Sequence, residues 1–249
     1  MSKSASTLTP DDFERLYARF NASVCQFDCG KKCSPLNGGS PVCCSTQDAV
    51  PVVHKAEFKL LQNRTDLWKR FKPYDAATRK IVDELTTSSC AIECKGAAFC
   101  ERNNRTIACR AFPFFPYVTR GRQIIGLSVY WIFEDRCWMM SNMQLVETAF
   151  INECLDTWDG IFAKDHEEWE TYIDYSATMR RIFSRWRRSI PVIDRNGGLL
   201  LVDPSTGDAR PGRGERDYPK YGPFKSETAY RRAIKAAGGE VPAEGLKPV

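Results

Sequence analysis

Apolar residues recur at intervals of three or four along much of the chain, which is the spacing of one face of an α-helix. The first such segment follows Thr9, a residue type that caps helices, and Pro10, which is favoured at the first helical position. The longest segment has an acidic start and a basic end, as the dipole of a helix favours. The pattern predicts helices over residues 11–20, 57–71, 75–85, 144–162, 165–188 and 227–237.

Two other segments have the pattern of β-strands. Residues 123–133 are apolar and rich in β-branched and aromatic side chains, which predicts a strand. Residues 191–202 hold Asn196, Gly197 and Gly198 between two apolar runs, which predicts a hairpin. We therefore expect an α+β fold that is mainly helical, with irregular cysteine-rich loops organised around a metal site and a short strand or hairpin region.

The pattern also predicts three regions along the chain. Residues 1–162 are expected to form a cysteine-cluster metal-binding domain, and residues 163–202 a long helix and a hairpin packed on it. Beyond Asp203 the apolar periodicity thins out and Gly, Pro and charged residues dominate. This composition predicts a polar, loosely ordered C-terminal tail over residues 203–249.

The composition is that of a globular protein, with 43% hydrophobic and 27% charged residues, and it excludes a collagen-like or wholly disordered chain. No apolar run is long enough for a signal peptide or a membrane span, so we expect a cytoplasmic protein with no membrane partner. The net charge of +5 is a mild excess, from which a nucleic-acid partner is not expected. The 11 cysteines are the main candidates for chemistry. Disulfides rarely persist in a reducing cytosol, so a cysteine-rich pattern there more often means metal binding or catalysis.

Most of the cysteines lie in two irregular loops. The first loop carries Cys25, Cys29, Cys33, Cys43 and Cys44, and the second carries Cys90, Cys94, Cys100 and Cys109, with Cys137 following. Thiolates are soft ligands for zinc, copper(I) or iron–sulfur clusters, and two such groups can close one or two sites. The spacings match neither a zinc ribbon nor a ferredoxin. The alternatives are disulfides and small buried side chains, and the second alternative suits Cys154 in its apolar helix.

Parts of these loops resemble a known family. Cys29-Gly30-Lys31-Lys32-Cys33 with the later pair Cys43-Cys44, and then Cys109-Arg110-Ala111-Phe112-Pro113-Phe114, are similar to motifs of the YkgJ-like cysteine-cluster family, described as zinc- or iron-chelating proteins. The family outline is CxxCxxCC, a glutamate at a helix start, single cysteines, and a CR-x-[FY]-P-[FM] string. In this chain the first motif is stretched, with three residues between its early cysteines and nine before the double cysteine.

The resemblance extends over residues 25–137 and implies that the bound cofactor is an iron–sulfur cluster or zinc. It places the family glutamate on Glu57. The metal ligands that we expect are Cys29, Cys33, Cys43, Cys44, Cys90, Cys94, Cys100, Cys109 and Cys137. One branch of the family is similar to flagellin lysine N-methylase, an S-adenosylmethionine-dependent enzyme with an iron–sulfur cluster. The resemblance therefore allows redox or methyl-transfer chemistry, and it leaves open whether the chain is an enzyme.

Two further residues lie next to the cysteines. Arg110, beside Cys109, is our candidate cofactor-binding residue, since its guanidinium can donate to cluster sulfur or to an anionic substrate; the alternative is a structural salt bridge. His54 can be a nitrogen ligand, but with Glu57 reaching back to its amides it fits a helix start better. Under this first hypothesis the partners are a metal ion or cluster and a protein or small-molecule substrate.

The second hypothesis is a non-enzymatic, zinc-stabilised binding module. The predicted helix over 165–188 ends with Arg180, Arg181, Arg185, Arg187 and Arg188. Such a basic end can contact nucleic acid or a protein partner, although a solvated face that complements the helix dipole explains it as well.

Overall fold

The computed structural model describes residues 6–45, 47 and 49–248. Its α-helices are, in chain order, α1 (Pro10–Arg19), α2 (Gly30–Cys33), α3 (Lys55–Arg64), α4 (Ala76–Asp83), α5 (Ile107–Ala111), α6 (Thr148–Phe162), α7 (His166–Trp186) and α8 (Glu227–Ala236). Its strands are β1 (Val52–His54), β2 (Trp68–Arg70), β3 (Ser89–Cys94), β4 (Phe114–Val118), β5 (Ile124–Val129), β6 (Ile190–Ile193), β7 (Leu199–Val202) and β8 (Ala209–Pro211). None of the helices among these residues is both long and apolar enough to cross a membrane.

The expected fold class is wrong in two respects. The strands form two antiparallel sheets, so the protein is not mainly helical. The loops are also not organised around a metal site, because among the described residues no three Cys, His, Asp or Glu side chains lie close enough together to hold one metal ion. The three-stranded sheet escaped prediction because β1 and β2 have three residues each, too few to show an alternating pattern.

The residues divide into two compact units, each built from three segments. Unit 1 comprises Met1–Asn21, Cys43–Phe112 and Thr157–Trp169. Unit 2 comprises Ala22–Val42, Pro113–Asp156 and Glu170–Val249.

Unit 1 packs α1 and α3 beside a three-stranded sheet. The strand order is β1-β3-β2, so β3 is the central strand. The predicted cap of α1 is confirmed: the Thr9 side chain accepts from the Asp12 amide while the Asp12 carboxylate accepts from the Thr9 amide. Phe13, Leu61 and Ile92 are almost completely buried, so this unit has a hydrophobic core of its own.

Unit 2 contains the five-stranded sheet, with strand order β4-β5-β6-β7-β8. The predicted hairpin is confirmed as β6 and β7, with Gly197 at φ +83° in the turn. Gly126 in β5 has φ +151°, and a Cβ there would lie 2.1 Å from the carbonyl oxygen of Ile193 on β6. The close pairing of these two central strands therefore requires glycine at position 126.

Strand β4 lies at an edge of this sheet, which explains how it tolerates Pro116. Side chains from α7 form hydrogen bonds with backbone groups of β4. Ser176 Oγ accepts from the Val118 amide at 3.0 Å, and Arg180 donates to the Val118 carbonyl at 2.7 Å. Arg180 is consequently buried and is engaged within the fold.

Candidate metal-binding thiols

Five thiols of unit 1 come from three separate stretches of chain. Cys43 and Cys44 end a 3₁₀ turn (Val42–Cys44), and their sulfurs lie 3.9 Å apart. Cys94 is the last residue of β3, Cys100 follows a second 3₁₀ turn (Ala97–Phe99), and Cys109 lies on α5. Each is thus positioned in or directly beside a regular element.

The electrostatics of unit 1 indicate that these thiols are neighbours. Burial, and then the nearby thiols of Cys94 and Cys44, raise the pKa of Cys109 to about 12. Burial likewise raises the pKa of Cys94, and the thiols of Cys44 and Cys100 add to the effect. A raised pKa makes a thiol a poor nucleophile, whereas a bound cation reverses this penalty by stabilising the thiolate. The group is better suited to ligation than to nucleophilic catalysis.

Nitrogen donors point at two of these sulfurs. The Gly96 amide donates to Cys94 Sγ at 3.3 Å, and Arg105 Nε donates to Cys100 Sγ at 3.1 Å. Burial works to lower the pKa of Arg105, but the hydrogen bond to Cys100 and the nearby thiols of Cys44 and Cys43 raise it overall. Donors of this kind stabilise thiolates and tune metal centres in proteins. The sequence does not single out Arg105, because only a spacing of five residues relates it to Cys100.

The donor set fits a soft metal centre by its chemistry. A tetrahedral zinc site has Zn–S distances of about 2.3 Å, which puts its sulfurs about 3.8 Å apart. Cys43 and Cys44 meet this spacing, but no group of three donors in the described chain is close enough for one ion. These five thiols are therefore not arranged around a single ion in this structure.

Glu57 fixes the helix that carries Cys109. Its Oε1 accepts from the Ile107 amide at the start of α5 and from the Tyr17 hydroxyl, both at 2.7 Å. The expectation that Glu57 reaches back to the amides of its own helix is wrong, because His54 caps α3 by accepting from the Ala56 amide. Glu57 is almost completely buried, and burial raises its pKa to about 7.

His54 has both ring nitrogens engaged. Besides the cap on Nδ1, Nε2 lies 3.0 Å from Ser6 Oγ and 3.5 Å from Asp165 Oδ2. The structure therefore supports the cap role that the sequence favoured over metal ligation.

Arg110 is held by backbone carbonyls. It donates to the carbonyls of Arg105 at 3.1 Å and Asn103 at 2.8 Å, and to those of Tyr17 and Phe20 at the end of α1. Its guanidinium also lies 4.4 Å from the centre of the Tyr17 ring. These contacts tie the 103–105 loop to α1. The predicted cofactor contact of Arg110 stays a prediction, whereas Arg105 donates to a cysteine sulfur.

Cys90 does not join the other thiols of unit 1. It lies four residues before Cys94 on β3, and four residues of strand span about 13 Å. It pairs with Val53 of β1 and is buried there. Cys90 therefore occupies a core position.

The remaining expected ligands lie in unit 2. Cys29 precedes α2, Cys33 ends it, and Cys137 precedes a 3₁₀ turn (Trp138–Ser141). Cys25, which was not among the expected ligands, donates its thiol proton to the Phe27 carbonyl at 3.1 Å. Cys154 is completely buried in α6, as a core position requires. The two cysteine loops seen in the sequence therefore do not correspond to the two units. Cys43 and Cys44 of the first loop lie in unit 1 with the cysteines of the second loop, and Cys137 lies in unit 2 with the other cysteines of the first loop.

The basic end of α7 is only partly available to a partner. Arg180 is buried against β4, and Arg188 makes a two-pronged pair with Glu134 at 3.2 and 2.9 Å. Arg181, Arg185 and Arg187 are exposed. The basic end of α7 thus does not present one continuous positively charged face that could contact phosphates. This weakens the hypothesis that the chain binds nucleic acid.

An open groove of about 770 Å³ lies in unit 2. It is lined by Leu36, Asn37, Asp135, Arg136, Gly222, Pro223, Lys225, Ala229, Arg232, Ala233, Ala236 and Ala237. None of the cysteines lines it. The expected protein or small-molecule partner stays a prediction.

Comparisons with known proteins give no relative. No protein-family model matches the chain, and neither a curated protein nor a solved structure matches it significantly. Functional inference rests on the residues themselves.

Proposed function

We propose that unit 1 binds an iron–sulfur cluster and that the chain serves redox chemistry. The ligands are Cys44, Cys94, Cys100 and Cys109, with Cys43 as an adjacent fifth thiol. The observation that carries the proposal is that N–H donors are aimed at the sulfurs of Cys94 and Cys100, in the unit that also holds the Cys43–Cys44 pair.

Each residue has a defined task in this proposal. When bound, an iron–sulfur cluster supplies one-electron transfer. The Gly96 amide and Arg105 stabilise negative charge on the sulfurs of Cys94 and Cys100. Glu57 and Thr106 orient α5, since Thr106 accepts from the Cys109 amide at 3.0 Å. Cys100 is exposed, so an electron-transfer partner can approach the centre at this residue.

Metal analysis tests this proposal. Chain purified without oxygen should be brown and contain iron and acid-labile sulfide, and Cys94→Ser should lose most of both. Cys90→Ser is the matched control, because this thiol lies on the same strand but outside the group. Zinc in place of iron, or equal iron loss in the two variants, would contradict the proposal.

Arg105 gives a second prediction. Arg105→Gln should keep iron but lower the reduction potential by about 60 mV. A charge-assisted hydrogen bond contributes about 1.5 kcal/mol, and about 59 mV corresponds to 1.4 kcal/mol for one electron. Redox titration followed by visible absorption measures the shift. Arg102→Gln, a change at an exposed position of the same loop, should leave the potential unchanged.

A further inference from the structure

We infer that the groove of unit 2 binds an acidic amphipathic helix of a protein partner. Helix α8 and its C-terminal cap line the groove with four alanines, Ala229, Ala233, Ala236 and Ala237. These positions recur at intervals of three or four, so they lie on one side of the helix. Their methyl groups leave the backbone of α8 open to close approach, which suits a second helix at an interaxial distance of about 8–10 Å.

The walls of the groove are fixed by close packing within unit 2. A Cβ at Gly222 would lie 2.8 Å from the Cα atom of Asp135, and a Cβ at Gly239 would lie 2.3 Å from the carbonyl oxygen of Pro35. Glycine at both positions therefore lets the chain before and after α8 pack directly against the stretches that carry Asp135 and Leu36. The fold itself shapes the groove, so a partner does not have to reorganise it, which lowers the cost of binding.

Three cations and one carboxylate accompany the alanines. Arg136, Lys225 and Arg232 line the groove together with Asp135. The Arg136 guanidinium lies 3.5 Å from the Asp135 carboxylate. The side chains of Lys225 and Arg232 have no hydrogen-bond or ion-pair partner among the residues that the structure describes. The groove therefore combines an excess of positive charge with an apolar surface, and two of its cations are available to the carboxylates of a partner.

The shape and chemistry of the groove favour a helical peptide over other occupants. Small-molecule sites bury most of the ligand surface, whereas this groove is open to solvent. Nucleic acid would use the cations but not the alanine face, because its contacts with proteins are dominated by phosphate. A helix with apolar residues on one face and Asp or Glu beside them uses both features. The inference is independent of the iron–sulfur proposal, since none of the cysteines lines the groove.

Fluorescence anisotropy with the full chain tests the inference. The probe is a labelled helical peptide of about 16 residues, with alanine and leucine on one face and glutamate beside them. Wild type should bind this peptide, and Arg232→Glu should weaken binding about tenfold, because an attraction becomes a repulsion. Lys235→Glu makes the same charge change at an exposed position of α8 outside the groove and should change binding by less than about twofold.

A second pair of variants tests the alanine face. Ala236→Trp fills the groove at an exposed position and should abolish binding, whereas Lys235→Trp adds the same side chain outside the groove and should not. Equal weakening by Arg232→Glu and Lys235→Glu would overturn the inference, since it would show attraction to net charge alone. Equally tight binding of a scrambled peptide, tighter binding of a single-stranded oligonucleotide, or no binding up to about 1 mM peptide would also overturn it.

Discussion

Replacing Arg110 by alanine should lower the free energy of unfolding by about 3–5 kcal/mol. The change removes hydrogen bonds to the carbonyls of Arg105, Asn103, Tyr17 and Phe20, each contributing about 1 kcal/mol, and leaves several of these carbonyls poorly satisfied. It also removes the contact of the guanidinium with the Tyr17 ring, which contributes about 0.5–2 kcal/mol. Urea denaturation measures the loss.

Two further variants identify the cause of the stability loss in Arg110→Ala. Arg110→Lys keeps the charge but cannot reach carbonyls on both α1 and the 103–105 loop, so it should lose most of the same stability. Arg102→Ala changes an exposed arginine of the neighbouring turn and should stay within about 0.5 kcal/mol of wild type. If Arg110→Lys proved as stable as wild type, charge and not carbonyl binding would explain this residue.

The helices with a clear apolar stripe could be predicted from the sequence, and the strands of unit 1 could not. The predicted helix over 57–71 ends at Arg64 in α3, because the chain becomes extended at Thr65, with φ −158° and ψ 155°. Trp68 then enters β2 and pairs with Cys94. A run of apolar residues does not distinguish a continuing helix from a short buried strand.

The cysteines could be identified as the main chemical feature, but their grouping could not be predicted. Nine residues separate Cys33 from Cys43, and a segment of that length can span roughly 30 Å when extended. Nearness in sequence therefore did not require nearness in space, and the two residues belong to different units. Conversely, only tertiary packing brings Cys137 to α2. The hydrogen bonds of Glu57 and Arg110 to Tyr17 also could not be predicted from the sequence, because Tyr17 lies far from both residues along the chain.

Glu57 should make the protein less stable as the pH rises from about 5 to 7. Its carboxyl has a pKa of about 7 in the fold, because burial disfavours the charged form, against 4.5 for the ordinary group. Between these values the unfolded chain releases a proton that the folded chain keeps, so stability is full below about pH 4.5 and is lost as the pH rises through 7. The difference corresponds to about 3 kcal/mol.

Glu57→Gln should remove this dependence. The amide oxygen still accepts from Tyr17 and Ile107, so the variant should gain up to about 3 kcal/mol relative to wild type between pH 5 and pH 8. Denaturation of metal-free samples across this pH range measures the difference in free energy of unfolding between the variant and wild type. The other titrating groups are the same in both proteins, so their contributions cancel in this difference. Burial also raises the pKa of Glu168 to about 7. This residue should therefore contribute a second part of the decrease in stability with pH, and Glu168→Gln should remove that part. A Glu57→Gln protein whose stability falls with pH as steeply as wild type would mean that Glu57 is ionised in the fold. Its charge would then be balanced within unit 1, where Arg110 is the cation that acts on it.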